Sequence, residues 1–349
     1  MRAGNTQTNA ASNMWISLLA VFPLFFLAGC AITENVDPKY DPPAVAGTQA
    51  ELGMQWNQRK AGEGRLSGIA WSGNQFAAVG YWWILTSSDG LAWKSSIYPR
   101  SRLNNITWDG SQFVAVGYEV QGGMHKPSTP LIVTSADGVD WTQHSAPASA
   151  GILTSVAWSG KQFVAVGWGD PLTSSDGVTW NVVSLPVEGR LESVVWGTSQ
   201  FVAVGQVTGS KSLILTSLDG TTWTPLTTPG KGLGGVVWSG ERFVAVGNGT
   251  ILTSLDGSTW DEQKMPVDGE LKGVTWSGTQ LVAVGRTQPS TREVTRPLIL
   301  TSTDGVTWTQ SKSQSDGSLW AIVWNGTRFV AVGQTRSGRY YDALIMTSP

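Results

Sequence analysis

One aspartate recurs at an equivalent place in six segments, a pattern that could indicate bound calcium or acid–base catalysis. The six are Asp89, Asp137, Asp176, Asp219, Asp256 and Asp304. Glycoside hydrolysis needs two carboxylates within roughly 5–10 Å of each other, and equivalent positions of separate repeats lie farther apart than that. Each aspartate precedes a glycine, a pair typical of tight turns. We therefore interpret the six as structural turn residues and predict no metal site.

Aromatic and charged side chains outside the repeating positions are better candidates for a binding site. Aromatic residues and arginines are enriched where interfaces concentrate their binding energy. The candidate binding residues are Tyr81, Trp82, Trp83, Tyr118, Trp168, Glu192, Lys272, Arg286, Trp320, Tyr340 and Tyr341. The alternative is that these segments vary without a ligand, and that Trp82 or Trp83 packs on the edge of a sheet.

Catalysis has little support from residue types and spacing. The two histidines, His125 and His144, have no partner at a metal-ligand spacing. The sequence offers no Ser-His-Asp arrangement and no glycine-rich phosphate loop, because its glycines belong to turns. We predict a protein without catalytic residues and without a cofactor.

An internal repeat must position the candidate residues. Its first half reads Trp-Ser-Gly-x-Gln-Phe-Val-Ala-Val-Gly, and its leading tryptophans are Trp71, Trp108, Trp158, Trp196, Trp238, Trp276 and Trp324. Its second half reads Ile-Leu-Thr-Ser-x-Asp-Gly-x-Thr-Trp, and its closing tryptophans are Trp93, Trp141, Trp180, Trp223, Trp260 and Trp308. Seven first halves thus meet six second halves, and Met54-Gln55-Trp56 matches the missing outer strand.

The repeat length of about 42 residues is that of a four-stranded blade. We predict an all-β fold over residues 51–349, a seven-bladed β-propeller of four-stranded antiparallel blades whose ring is closed by the N-terminal strand. A small residue stands three positions before each leading tryptophan, which fits strands that crowd around a central channel. The segments of variable length then share the face at the channel mouth.

The second half of the repeat resembles a known motif. Ser87-Ser88-Asp89-Gly90 and Ser254-Leu255-Asp256-Gly257, each followed by a tryptophan three residues later, resemble the Asp-box, or BNR repeat, of sialidases and related propellers. In that family the aspartate and serine tie a structural hairpin; here the box is one residue shorter. The resemblance implies an alternative function, a glycan-active hydrolase of sialidase-like type, although the family's arginine-containing motif before the first box is absent.

Residues 1–29 have the layout of a signal peptide. The apolar stretch Trp15–Ala28 is shorter than the roughly 20 residues of a membrane span. It ends in Leu27-Ala28-Gly29-Cys30, which resembles the lipobox of bacterial lipoproteins and implies lipidation of Cys30, with the outer membrane as destination in a Gram-negative host. The alternative is an ordinary secretory signal with a chance cysteine. Residues 30–50 contain three prolines and predict a flexible tether.

Composition limits the remaining function classes. The net charge is −2 and the pI about 5.7, so no basic excess indicates a nucleic-acid partner. Low charge with 42 glycines and 19 tryptophans favours a folded all-β protein over a disordered one. The leading hypothesis is a non-catalytic scaffold, exported and anchored to the cell envelope, that binds a protein or glycan partner through its variable loops.

Overall fold

The computed structural model describes residues 54–59, 62–120, 129–209, 211–226, 228, 230–288, 294–337 and 340–349. The predicted signal peptide, Cys30 and the tether lie outside these residues. In the part of the chain that is described, no helix has the length and apolar character of a membrane span.

Short strands make up almost all regular structure, together with one 3-10 turn at Ala148–Ala150. The first thirteen strands are β1 Asn57–Arg59, β2 Arg65–Trp71, β3 Phe76–Ser87, β4 Lys94–Trp108, β5 Phe113–Glu119, β6 Thr129–Ser135, β7 Thr142–His144, β8 Leu153–Trp158, β9 Phe163–Gly167, β10 Leu172–Ser174, β11 Asn181–Val182, β12 Arg190–Gly197 and β13 Gln200–Gln206. The others are β14 Ser212–Ser217, β15 Thr224–Leu226, β16 Leu233–Trp238, β17 Phe243–Gly247, β18 Ile251–Ser254, β19 Asp261–Gln263, β20 Gly269–Trp276, β21 Leu281–Thr287, β22 Pro297–Ser302, β23 Thr309–Ser311, β24 Ser318–Trp324, β25 Phe329–Ser337 and β26 Tyr340–Thr347.

The described strands form six antiparallel sheets, and the prediction of seven separate four-stranded blades is wrong. Five sheets have four strands, and one has six, running from β2 to β7 in sequence order. The reason is β4, which runs as a single strand of 15 residues. Its first part pairs with β3, from Lys94 opposite Thr86, and its last part pairs with β5, to Trp108 opposite Phe113. Two repeats therefore share one sheet.

Closure of the ring rests on its inner strands and not, as predicted, on the N-terminal strand. The inner strand β24 packs against β2, and Leu66 and Phe76 join Val330 and Ile345 in one hydrophobic cluster. Strand β1 adds a three-residue outer edge to the last sheet, from Asn57 opposite Thr347 to Arg59 opposite Ile345.

Close packing of the inner strands explains the small residue before each leading tryptophan. The inner strands β2, the last part of β4, β8, β12, β16, β20 and β24 contact one another in this order around a channel. A Cβ added to Gly68 would lie 2.8 Å from the Cα atom of Asn105, and one added to Gly273 would lie 3.0 Å from the Cα atom of Ala321. Larger side chains would push these backbones apart.

Short polar side chains at the same position join neighbouring inner strands by hydrogen bonds. The Val156 N–H donates to Asn105 Oδ1 at 3.2 Å, and the Val194 N–H donates to Ser155 Oγ at 3.2 Å. The Val236 N–H donates to the Ser193 hydroxyl in the same way. The position thus accepts glycine, alanine or a short polar side chain that bonds to the next inner strand.

The hydrophobic core lies between adjacent sheets. Phe163 is fully buried, its ring centroid 4.2 Å from that of Trp158 and 6.1 Å from that of Trp180. It meets Val114 and Val116 of the preceding repeat in one cluster. Equivalent phenylalanines occupy the same place in most repeats. The repeated sequence therefore produces the same packing contact between successive sheets.

Replacing Trp56 should destabilise the fold, because this residue packs the N-terminal segment into the last sheets. Trp56 is 8% exposed and clusters with Val282, Val284 and Met346. We expect Trp56→Ala to lower the free energy of unfolding by about 3–5 kcal/mol, measured by urea denaturation. Trp56→Phe should cost less, since the buried indole N–H has no hydrogen-bond partner among the described residues.

The matched control is Trp82→Ala, because Trp82 is 43% exposed. Equal losses in Trp56→Ala and Trp82→Ala would show that the N-terminal segment does not contribute through its packing.

Candidate binding site at the channel mouth

A β-bulge interrupts every inner strand at the same place. In β2 the register with β3 slips between Leu66 and Gly68, and in β12 the register with β13 slips between Leu191 and Ser193. A bulge leaves one residue unpaired and re-aims its side chain. The unpaired residues are Ser67, Asn104, Thr154, Glu192, Gly234, Lys272 and Trp320, and all of them line one cavity of about 680 Å³. We call this cavity the channel mouth.

Cations and phenol rings alternate across four strands beside the bulges. Arg65 of β2 lies opposite Tyr81 of β3, Tyr81 lies opposite Arg102 of β4, and Arg102 lies opposite Tyr118 of β5. All four line the channel mouth. Since neighbouring strands are about 4.8 Å apart, two arginines flank one aromatic ring within the six-stranded sheet.

These two arginines are held by aromatic rings and not by carboxylates. The Arg65 guanidinium carbon lies 3.7 Å from the ring centroid of Tyr341, and that of Arg102 lies 5.8 Å from the centroid of Tyr118. Arg102 Nη1 also donates to the Tyr118 hydroxyl at 3.1 Å. Over the described residues, the ion pairs involve Lys272, Arg286 and Arg296 and leave Arg65 and Arg102 without an acidic partner.

The cations on the other side of the channel mouth share one acidic partner. Glu270 Oε1 lies 2.8 Å from Lys272 Nζ, and Glu270 Oε2 lies 2.6 Å from Arg286 Nη2. Burial alone would raise the pKa of Glu270, but hydrogen bonds and charge from Lys272 and Arg286 outweigh it and lower the pKa. This carboxylate therefore stays ionised and holds two cations in place.

Glu192 is the acidic side chain that lines the channel mouth itself. Burial raises its pKa, and the charge of Lys272, a hydrogen bond with Trp168 and the charge of Arg190 offset only part of that rise. The Arg190 guanidinium carbon lies 4.4 Å from the Trp168 ring centroid. A desolvated carboxyl in a cleft is a feature of many functional sites.

The structure brings together most of the binding residues that the sequence indicated. Those that line the channel mouth are Tyr81, Tyr118, Trp168, Glu192, Lys272, Arg286 and Trp320. Trp82 lies beside the mouth, stacked on Tyr81 at 5.1 Å between ring centroids, and Trp83 packs into the cluster between the first and last sheets. The Tyr341 ring packs against the Arg65 guanidinium, and Tyr340, its neighbour in β26, is 78% exposed.

Sequence reasoning missed Arg65, Arg102, Arg190, Glu270 and Gln334. Each stands directly before the leucine of an inner strand or directly after the glycine that ends Val-Ala-Val-Gly. The observed register places these two positions opposite each other, as for Ser318 and Gln334. Comparing both positions across the repeats would have found them.

The six recurring aspartates lie in turns at the opposite end of the sheets. Asp176 Oδ1 accepts hydrogen bonds from the N–H groups of Val178 and Thr179, both at 2.8 Å, and from the Ser174 hydroxyl at 2.9 Å. The Trp180 indole N–H donates to the Gly177 carbonyl at 3.0 Å. We call the surface formed by residues 88–92, 136–140, 175–179, 218–222, 255–259 and 303–307 the turn face.

Comparison with known proteins shows the fold. No protein-family model and no curated protein matches the chain. A selenomethionine-substituted virginiamycin B lyase from Staphylococcus aureus is similar in structure, with a TM-score of 0.64 and 10% sequence identity over 84% of this chain and 100% of that one. The WD40 β-propeller domain of Doa1 is similar too, with a TM-score of 0.60 and 11% identity over 84% of this chain and 97% of that one.

This chain is a β-propeller. At these identities the likeness shows the fold alone, and one fold serves many unrelated activities. What the β-propeller does must therefore be argued from the side chains at its channel mouth.

The turn aspartates should make the stability of the β-propeller sensitive to acid. Hydrogen bonds from the Thr179 and Val178 N–H groups lower the pKa of Asp176 to about 2, against about 3.9 in an unfolded chain. A depressed pKa in the folded state contributes stability above pH ~4, and that contribution is lost as the pH falls towards 2. We expect Asp176→Ala to lower Tm at pH 6 and to have little effect at pH 2, measured by calorimetry.

Asp176→Asn should retain part of the stability at pH 6, because its amide oxygen can still accept the two N–H bonds. The control is Asp261→Ala, which removes an exposed carboxylate with no hydrogen bond inside the described structure. A Tm difference for Asp176→Ala that is the same at both pH values would contradict the assignment.

Proposed function

We propose that this protein is a non-catalytic scaffold held at a membrane, and that its channel mouth binds an anionic protein or glycan. The observation that carries the proposal is the pair Arg65 and Arg102, which flank Tyr81 in a cavity of about 680 Å³ without an acidic partner among the described residues. Both arginines are half-buried, and a guanidinium in such a cleft forms charge-assisted hydrogen bonds with a ligand that supplies an anionic group.

The charge of the channel mouth supports an anionic ligand. Arg65, Arg102, Lys272 and Arg286 line it; the carboxyls are Glu192 in the lining and Glu270, which pairs with Lys272 and Arg286. These four cations therefore outnumber the two carboxyls. The whole chain carries −2, so the positive charge is local. A guanidinium presents a planar fork of donors to a carboxylate or phosphate. Arg65 lies over the Tyr341 ring, an arrangement that leaves the edge of its fork available, whereas Arg102 spends one donor on the Tyr118 hydroxyl.

The two sides of the mouth would contribute differently. Glu270 already satisfies Lys272 and Arg286, whereas Arg65 and Arg102 offer uncompensated charge. The anionic groups of the ligand should therefore lie over the six-stranded sheet, and the neutral parts of the ligand over Trp168 and Trp320.

Export and lipidation of Cys30 are part of the proposal. They are supported by the apolar segment Trp15–Ala28 and by Leu27-Ala28-Gly29-Cys30, which resembles a lipobox. We also propose that the turns are related to the Asp-box. The support is that Ser174, Asp176 and Trp180 form hydrogen bonds within their turn.

A glycan-active hydrolase is the second candidate, favoured by one observation. Glu192 and Glu270 border the same small cavity of about 100 Å³, and their surroundings move the two pKa values in opposite directions. Such a pair can supply a protonated acid and an ionised base. The scaffold is preferred because both oxygens of Glu270 are engaged by Lys272 and Arg286.

Arginine substitutions at the mouth should weaken binding of anionic ligands. The probes are hexaglutamate and hexagalacturonate, with maltohexaose as the neutral control, measured by calorimetric titration of the full chain. A charge-assisted hydrogen bond contributes about 1.5–3 kcal/mol, so we expect Arg65→Gln or Arg102→Gln to raise Kd about 10- to 100-fold. Lys161→Gln, in an exposed turn at the other end of the sheets, should leave Kd unchanged.

The probe that binds decides between a protein and a glycan partner. Failure of both anionic probes, or equal binding by the arginine variants, would contradict the proposed site. Cleavage of hexagalacturonate that is lost in Glu192→Gln would replace the scaffold with the hydrolase.

Loss of Cys30 should release the protein from membranes. Acyl chains would be the only lasting attachment, and a lipoprotein's multiple chains anchor stably where a single one does not. We expect Cys30→Ser to move the protein from the membrane to the soluble fraction after export, measured by fractionation, with Ala31→Ser as the control. Continued membrane retention of Cys30→Ser would contradict lipidation at this residue.

A further inference from the structure

Six exposed aliphatic side chains lie on the turn face, one in each turn. They are Leu91, Val139, Val178, Leu218, Leu255 and Val306, and Leu218 is as much as 77% exposed. Each stands either directly before the aspartate or directly after the glycine, and the other of these two positions holds serine, alanine or threonine. Turn positions are usually polar, so a single aliphatic residue in every turn is not required by the turn.

The turn bonds leave these side chains free. In the fourth turn, the Asp219 carboxylate binds the N–H groups of Thr221 and Thr222 and the Ser217 hydroxyl. Leu218 contributes no polar side-chain group to this set and extends into solvent. Its apolar surface has no structural role within the turn.

Hydrogen bonds between repeats fix the turns relative to one another. Gln75 Nε2 donates to the Asp137 carbonyl at 2.7 Å, and Gln112 Nε2 donates to the Asp176 carbonyl at 2.9 Å. Gln162 and Gln200 bind the next two turns in the same way. Val139, Val178, Leu218 and Leu255 therefore project from turns that are bonded to a neighbouring repeat and not from independent loops. We call the six aliphatic side chains together the aliphatic rim.

The N-terminal end of the described fold lies at the turn face. Asn57, the first residue of β1, lies opposite Thr347, and Thr347 lies opposite Val330 next to the turn that precedes Phe329. The Ser348 N–H donates to the Phe329 carbonyl at 3.1 Å, which places this end of β26 at the turn face. Asn57, at the N-terminal end of the described fold, thus lies on the side that carries the aliphatic rim.

We infer that the turn face docks on a zwitterionic lipid surface through Leu91, Val139, Val178, Leu218, Leu255 and Val306. The inference rests on the proposed anchoring at Cys30, which makes docking intramolecular and raises the effective lipid concentration. Aliphatic side chains at a membrane interface gain by burial among headgroups and acyl chains. The channel mouth, at the other end of the sheets, then points away from the membrane.

The charge of the turn face selects the lipid. It carries the six turn aspartates and Asp140. The turns that follow the inner strands lie on the same side and add Asp109 and Glu241 against Lys161, Arg242 and Arg328. Hydrogen bonds lower the pKa of the turn aspartates, so these stay ionised. An acidic surface is repelled by anionic lipid, which leaves phosphatidylcholine and phosphatidylethanolamine as the fitting headgroups.

Fluorescent labels can test the docking in the acylated full chain. Cys30 is the only cysteine and is blocked by lipid in this state, so Leu218→Cys or Leu255→Cys provides a unique label site. The protein is placed in phosphatidylcholine–phosphatidylethanolamine vesicles that contain nitroxide-labelled lipid. We expect loss of fluorescence for labels at 218 and 255 and none for the control Tyr340→Cys, and we expect phosphatidylglycerol to weaken the quenching.

A second variant tests whether the aliphatic rim causes the docking of the turn face on the lipid. Leu218→Asn and Leu255→Asn together should abolish quenching of a label at Val139→Cys, while the protein stays on the vesicles through its acyl chains. Both leucines are exposed, so unfolding is not expected, and binding of the anionic probes at the channel mouth should be unchanged.

Each outcome separates the docking from the anchor. Retention on vesicles without quenching at 218 and 255 would overturn the docking and leave the anchor intact. Quenching at 340 in place of 218 would overturn the orientation. Failure of the acylated chain to stay on vesicles would contradict the anchor, and the docking would fall with it. Protection of the labels in whole envelopes but not in pure lipid would show that a protein covers the turn face.

Discussion

Close approach of the inner strands is the constraint on which the rest of this β-propeller depends. Their backbones come so near one another that a Cβ on Gly68 would lie 2.8 Å from the Cα atom of its neighbour Asn105. Only glycine, alanine, serine and asparagine occupy this position, and the polar ones bond the next strand. Because the inner strands set the spacing, the phenylalanine and tryptophan side chains between sheets fall into equivalent contacts in each repeat.

The same crowding explains where chemistry can be placed. A residue packed between inner strands must be small. The bulged residue one position earlier instead points its own side chain into the channel, where a large side chain fits. Glycine, lysine, glutamate and tryptophan all occur there. The fold thus keeps one position of each inner strand constant for packing and leaves the adjacent one open for recognition.

Repeats in the sequence were enough to predict an all-β fold with a central channel, because the tryptophan and Asp-Gly spacing indicates a strand order that packing then enforces. The separate blades could not be counted correctly. Pro99, between the first two repeats, indicates a break in the sequence, yet Arg100 adopts a φ of 59° and β4 continues through both residues. The residue types around Pro99 do not distinguish a strand that continues from one repeat into the next from a loop that connects them.

The sequence indicated some residues that line the channel mouth but not others, and the difference has a physical reason. Trp168 and Glu192 depart from their repeat and were visible without a structure. Arg65 and Arg102 could not be recognised in this way, because arginine is common on protein surfaces. They are candidates only because the strand register places both of them opposite Tyr81.

The shared sheet of the first two repeats has a mechanical consequence. Elsewhere, neighbouring sheets meet through side-chain packing and isolated hydrogen bonds, and such contacts can slide. Arg65 and Arg102 instead lie on strands of one sheet, and both pair with Tyr81 of β3. The spacing of these two backbone positions is therefore set by strand pairing within one sheet, and a displacement between neighbouring sheets would leave it unchanged.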